Sequence, residues 1–214
     1  THDGIEETTP KGETTTITRN AAGDPETIKR PAPGSKTQEI KFKYAANGDL
    51  EEETDPLGHT TKFEYDTYGN RKATINPTGD KTTWKYDEDG QVTAEVRPRG
   101  NEEGAEASKF ETKTERDAQG RVTKLTDALG HEVKYKYDGN GNLEVSTDPN
   151  GQATTYVYDG NDHRIEVKAA NGDITKAAYD SEGNVKSKTE GRGNTTKYER
   201  NSLEQVTEVI DPLQ

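Results

Sequence analysis

Side-chain character alternates from residue to residue in runs of five or six, and short polar clusters separate the runs. Thr61, Phe63 and Tyr65 share one face of such a run, with Lys62 and Glu64 on the other. Thr82, Trp84, Tyr86 and Thr154, Tyr156, Tyr158 repeat the arrangement, and Lys134 and Lys136 mark the charged face again. A period of two is the mark of a half-buried strand. The alternate runs are thinner in apolar residues: Val92, Ala94, Val96; Leu143, Val145, Thr147; Val206, Glu208, Ile210. No segment sustains a helical stripe, and the abundance of Thr and Tyr favours strands. The pattern predicts an all-β chain, an antiparallel meander of about nineteen strands.

The strands recur on a fixed ruler. Tyr44, Tyr65 and Tyr86 are 21 residues apart, and Arg116, Tyr137, Tyr158, Tyr179 and Arg200 continue at 21. Arg19 precedes Tyr44 by 25 residues and Tyr86 precedes Arg116 by 30, so segments are inserted near 30–36 (RPAPGSK) and 101–109 (NEEGAEASK). Inserted segments in arrays emerge on one rim, where contacts with partners are made, although simple loop drift produces them too. The ruler divides the chain into a partial repeat at 1–18, an array over 19–200 and a partial repeat at 201–214.

Two glycine columns follow. Gly48, Gly69, Gly90, Gly120, Gly141 and Gly183 lie four residues after the Tyr or Arg, with Asp162 and Glu204 filling the column elsewhere. Gly58, Gly79, Gly100, Gly130, Gly151, Gly172 and Gly193 lie fourteen after it, several preceded by proline as in DPLG, NPTG and DPNG. Pro sets φ near −65° for a type I or II turn and Gly accepts positive φ, so each period reads as two strands and two turns. The Tyr and Gly columns are expected to be architectural, with stability drawn from ladders of like residues between neighbouring hairpins. A broad sheet with one apolar face is then expected to curl, close or pack on something.

Composition sharpens this picture. Only 26% of residues are apolar and the net charge is −12, values at which a chain without repeats is commonly disordered. The acidic balance speaks against nucleic acid and anionic membranes as partners, and no apolar run is long enough to insert in a membrane. Without cysteine there is no disulfide framework and no thiol nucleophile. Methionine is absent even at position 1, so a piece of a longer protein is expected.

Candidate chemistry is sparse. Asp138, Asn140 and Asn142 match the opening of a calcium loop, but Leu143 stands where the loop needs Gly and Pro149 where it needs Glu, so turn chemistry is the expectation. His59 and His131 occupy equivalent columns just past a turn; with His2 and His163 they show no zinc spacing. No G-x-S-x-G, phosphate loop or isolated carboxylate pair appears, so no catalytic residue, metal or cofactor is assigned and no enzyme is expected. Phe63, Trp84, Tyr135, Tyr156 and Tyr198 form a column two residues before the repeat's Tyr or Arg. Exposed, such rings would suit stacking on sugars; buried, they form the core of a curled sheet.

The segments YDTYGNRKATINPTGDKTTWKYDEDG (65–90) and YDGNGNLEVSTDPNGQATTYVYDGND (137–162) resemble the YD-repeat (Rhs) family, and the likeness extends from about residue 13 to the end. The family includes bacterial wall-associated and Rhs polymorphic toxins, components of insecticidal toxin complexes, and teneurins. The resemblance implies β-hairpin ribbons that spiral into a hollow shell around a toxin, and secretion or surface display. It implies a structural scaffold, here an internal stretch of a longer array, whose partners are further repeats or other copies of itself, and a toxin cargo or glycans. Carbohydrate binding and a self-assembling extracellular fibre are the alternatives.

Overall fold

The computed structural model describes residues 5–8, 14–33 and 36–212. The description leaves out His2, residues 34 and 35 of the Pro-rich insertion, and part of the 1–18 partial repeat. Nineteen strands are described, joined as successive antiparallel hairpins, with helix limited to two short 3-10 turns. The chain divides into two units, Thr1–Lys113 and Thr114–Gln214. Among the described residues no helix is long and apolar enough to cross a membrane.

In the first unit the strands are β1 (Ile5–Thr8), β2 (Thr14–Arg19), β3 (Pro25–Ala32), β4 (Lys36–Tyr44), β5 (Leu50–Thr54), β6 (Thr60–Tyr65), β7 (Arg71–Ile75), β8 (Lys81–Tyr86) and β9 (Val92–Val96). Each pairs with the next, and β9 also pairs with the start of β10 (Glu111–Arg116). In the second unit β11 (Val122–Thr126), β12 (Glu132–Tyr137), β13 (Leu143–Thr147), β14 (Ala153–Tyr158), β15 (Arg164–Lys168), β16 (Ile174–Tyr179), β17 (Val185–Thr189), β18 (Thr195–Arg200) and β19 (Val206–Ile210) continue the same way.

The two turns of each period are one motif. At Asp66–Asn70 the first residue's amide donates to the fifth residue's carbonyl (2.9 Å), and the Gly69 amide donates back to the Asp66 carbonyl (3.2 Å). Asp66 Oδ1 accepts from the amides of Tyr68 and Asn70, both at 2.9 Å. This is a three-residue hairpin loop, a type I turn followed by a left-handed residue, braced by an Asx side chain. The Pro-containing turn at Asp55 has the same backbone bonds and the same two Oδ1 acceptances.

Gly69 (φ +86°) and Gly151 (φ +79°) take the left-handed conformation, and a Cβ on either would meet nothing within 4 Å. The cost of a side chain there is therefore purely conformational. Gly69→Val or Gly151→Val is expected to lower stability by about 2 kcal/mol in a urea melt, because a β-branched residue is least tolerant of positive φ. An unchanged midpoint would refute that assignment.

Gly100 departs from its column. It lies in the 3-10 turn Pro98–Asn101, is buried, and does not have the positive φ of its column mates. The 101–109 insertion does not hang from a rim as a loose loop: a second 3-10 turn, Ala107–Phe110, brings Phe110 back onto Gly100 and Val96. The described part of the Pro-rich insertion extends a hairpin instead, with Arg30 opposite Gln38 and Ala32 opposite Lys36 along β3 and β4.

The core is minimal and sits on the unexpected face. The described side chains buried below a tenth of their area are Ala73, Ala94, Val96 and Glu111. By register, Ala73 lies opposite Glu64 and Thr83, Val96 opposite Thr83 and Glu111, and Ala94 opposite Lys85 and Lys113. All belong to the Lys/Glu face. Phe63, Trp84, Tyr135, Tyr156 and Tyr198 are half-buried, between the two alternatives, while the fully buried side chains lie on the charged face of the first unit.

Candidate functional site

Four tyrosines of the repeat column, Tyr86, Tyr137, Tyr158 and Tyr179, bond a carbonyl of the preceding repeat beyond the strand ladder. Pairing of β13 with β14 runs only as far as Val145 opposite Thr155, and Leu143 sits at the bulge of the β12–β13 pair. The Leu143 carbonyl is left without a ladder partner, and Tyr158, fifteen residues on, donates its hydroxyl to it at 3.1 Å. Tyr86 does the same for Arg71 (2.7 Å), Tyr137 for Val122 (2.9 Å) and Tyr179 for Arg164 (3.2 Å). Arg200 keeps the geometry with another donor, its Nη1 lying 2.6 Å from the Val185 carbonyl. At position 200 Arg thus does what Tyr does elsewhere, whereas Arg19 and Arg116 donate to the Gly23 and Gly120 carbonyls of their own turns. Tyr158→Phe is expected to cost about 1 kcal/mol in a urea melt, the net value of one such bond; no loss would mean that the hydroxyl contributes nothing.

Arginines lie against three rings of the aromatic column, Phe63, Trp84 and Tyr156, and against Tyr137 of the repeat column. The Arg71 guanidinium lies 5.7 Å from the Phe63 ring centroid and 5.3 Å from that of Trp84. Arg164 stands 5.7 Å over Tyr156, and Arg121 is 4.6 Å over Tyr137. Cation–π contacts of this kind occupy the ring faces on which a sugar would stack. The Trp84 indole N–H donates to Glu95 (3.2 Å), and Ser146 and Tyr156 share a hydroxyl contact at 3.3 Å. Threonines bond across strands, Thr54 with Thr60 at 2.9 Å and Thr189 with Thr195 at 2.8 Å.

On the opposite face, charges pair across strands. Lys81 reaches both carboxylate oxygens of Glu64, at 2.9 and 3.0 Å. Glu111, only 8% exposed, accepts from Lys85 at 2.8 Å and pairs with Lys113 at 3.4 Å. The Lys85 hydrogen bond holds the Glu111 carboxyl below its ordinary range against burial, which raises it, and Lys113 adds to the lowering. Beside them, Asn101 pins the insertion: its amide nitrogen lies 2.8 Å from the Lys81 carbonyl and 3.1 Å from that of Val96, and its oxygen accepts from Thr83.

The turn carboxylates are occupied too. Asp138 Oδ1 accepts from the amides of Asn140 and Asn142 and Oδ2 from the Asn142 side chain, so the calcium-loop spacing is built as a turn. His59 and His131 each place Nδ1 2.9 Å from the first Asp of their own turn, and His163 does so at 3.2 Å. Among the described residues no group of three or more His, Cys, Asp or Glu is placed to hold a metal ion. The larger surface grooves are open, one lined by Tyr68, Tyr86 and Asp87–Gly90, another by Val157, Ala178 and Ser187.

The RHS repeat model matches the chain five times, over residues 44–81, 68–102, 116–147, 137–174 and 179–214. The chain belongs to the RHS repeat family. None of the curated proteins compared with it matches. Among solved structures it is similar to the Photorhabdus luminescens Tc holotoxin pore, with 15% identity, TM-score 0.41, and 96% of this chain covering 15% of that one. It is also similar to TcdB2-TccC3 (13% identity, TM-score 0.41, 94% of this chain and 16% of that). The TcdB2-TccC3 form without its hypervariable C-terminal region gives 15% identity, the same TM-score, and 94% and 15% coverage. The chain thus spans about 15% of the length of the neighbour first compared.

Within this RHS array the five aromatic residues named from the sequence lie on one face of their own unit, and the structure surrounds several of them with arginine. The sequence reading missed those arginines, together with Asn101. Arg71 and Arg164 fall at the bulge six residues after a Tyr, a spacing visible in the sequence, but only the bulge turns them onto the aromatic face. Asn101 carried no signal, since an asparagine at the start of a loop is ordinary turn composition.

Proposed function

We propose that this RHS chain is a structural scaffold segment of a secreted or cell-surface protein, part of a shell that encloses or delivers a toxin, and that it is not itself an enzyme. One observation carries the reading: the polar side chains of the array are spent on one another. Turn carboxylates bond turn amides, tyrosine hydroxyls bond strand carbonyls, and Lys and Glu pair across strands. Such closure stabilises a ribbon whose neighbouring repeats supply its contacts, and among the described residues it gathers no convergent set of free acids, bases or nucleophiles. Family membership supports the toxin-shell part of the reading, with further repeats or other copies extending the array.

Protease protection tests it on the whole secreted protein that contains the array. A segment left intact by trypsin in the native protein, but cleaved once Gly100→Val has loosened the array, supports enclosure. Cleavage at equal rates in both overturns it. Glycan-array binding that Trp84→Ala abolishes with the fold retained would replace the scaffold by a binding module.

A further inference from the structure

Some successive turns of a unit touch one another: on the tyrosine side at Gly90, Gly141 and Gly183 but not at Gly48 or Gly69, and on the opposite side where a Cβ on Gly191 would lie 3.1 Å from Cβ of Asp173. A Cβ placed on Gly90, the fourth residue of its turn, would lie 3.3 Å from Oδ1 of Asn70, the fifth residue of the preceding tyrosine-side turn. The same pairing of fifth residue with next fourth residue recurs where a Cβ on Gly183 would lie 3.0 Å from Nε2 of His163, and on Gly141 3.4 Å from Nη1 of Arg121. On the other side, a Cβ on Gly58, Gly79, Gly130, Gly151, Gly172 or Gly193 would meet nothing within 4 Å.

At two junctions the fourth residue is not glycine. Asp162 (φ +63°) and Glu204 (φ +59°) hold left-handed conformations that L side chains rarely adopt. Both carboxylates meet an asparagine at the fifth position of the preceding turn: Asn142 donates to Asp162 at 2.6 Å and Asn184 to Glu204 at 3.3 Å. Asn140 adds a second donor to Asp162 at 3.0 Å.

We propose that, at Asp162 and Glu204, these two turn positions form a side-chain key that fixes how the repeat stacks on the one before it. A glycine at the fourth position accepts any predecessor. A carboxylate there is matched to an amide donor at the preceding fifth position, and the hydrogen bond offsets its backbone strain. Both carboxylate–amide pairs lie on the tyrosine side, and the fourth-position glycines named on the opposite side have no neighbour within 4 Å. Positions 162 and 204 thereby specify their predecessors, and exchanging repeats without their partners breaks the match.

A double-mutant cycle on the full chain tests the pair. In urea, Asn142→Ala and Asp162→Gly are expected to be non-additive by about fivefold in the unfolding equilibrium constant, the size of one such hydrogen bond. Additive effects overturn the key. A second measurement builds a new match: Gly90→Asn, facing Asn70, is expected to raise the unfolding constant at least about threefold less than Gly79→Asn, which has the same positive φ but no neighbour. Equal penalties at the two positions overturn the proposal as well.

Discussion

Gly100→Val is expected to lower the unfolding free energy by about 3 kcal/mol, the largest loss from a single substitution in this chain. A Cβ at this position would stand 2.6 Å from Cγ1 of Val96 and 2.7 Å from Cβ of Phe110, and further branching has nowhere to go. Neither neighbour can yield easily. Val96 is buried between Thr83 and Glu111 in register, and the Phe110 carbonyl is held by the Arg97 amide at 3.1 Å. Displacing Phe110 would also loosen the turn that Asn101 anchors on the Lys81 and Val96 carbonyls. Gly139→Val is the control: its φ lies outside the strained range and a Cβ there meets nothing, so it should stay within about 0.5 kcal/mol of the parent. Urea melts of the two variants check this, and equal stability would show that the insertion is not packed as described.

Acid is expected to unfold the array cooperatively below about pH 4. Asp55, Asp66, Asp117, Asp127, Asp138, Asp159 and Asp180 all have carboxyls held below the usual 3.8. For Asp55 the His59 backbone amide leads, outweighing burial, with the His59 ring and the Leu57 amide adding to it. For Asp138 burial acts first and raises the value, and the amides of Asn142 and Asn140 overcome it. A depressed folded-state pKa gives stability that is present above the unfolded value and lost as pH falls through the folded one. The urea midpoint should therefore be flat from pH 7 to 5 and fall steeply between pH 4 and 2. The chain carries its own control, since Asn76 and Asn201 accept the same two turn amides through Oδ1 without a charge. Replacing Asp66, Asp138, Asp159 and Asp180 with Asn should keep the turns and flatten the acid limb. A midpoint that does not move between pH 7 and 3 in the parent would remove the turn carboxylates from the stability of the fold.

Much of this was written in the local sequence. Alternation along Thr61–Tyr65 names the faces, and the Asp-to-Gly spacing names the turns, because both depend on backbone dihedrals and bonds within five residues. The equivalence of the Pro turn and the YD turn was harder to read, since their residues differ and only the shared backbone bonds reveal one motif. The function of the tyrosine column was not legible: a half-apolar residue at a strand end reads as packing until the splayed strands show a carbonyl waiting for its hydroxyl. Nor could composition say which face would be covered. The charged face carries small residues, Ala73 and Ala94, and their burial beside Val96 and Glu111 is not written in their local sequence.

By itself the sequence determined the period, the strand faces, the turns and membership in an all-β repeat, since each follows from interactions that repeat every 21 residues. The tertiary structure alone decided where the small core lies, which arginines cover the rings, and which turns touch across successive repeats. Those contacts join residues 8 to 26 apart in sequence, as Arg71 to Phe63 and Lys85 to Glu111 do. They depend on bulges and on an insertion whose packing no local propensity encodes.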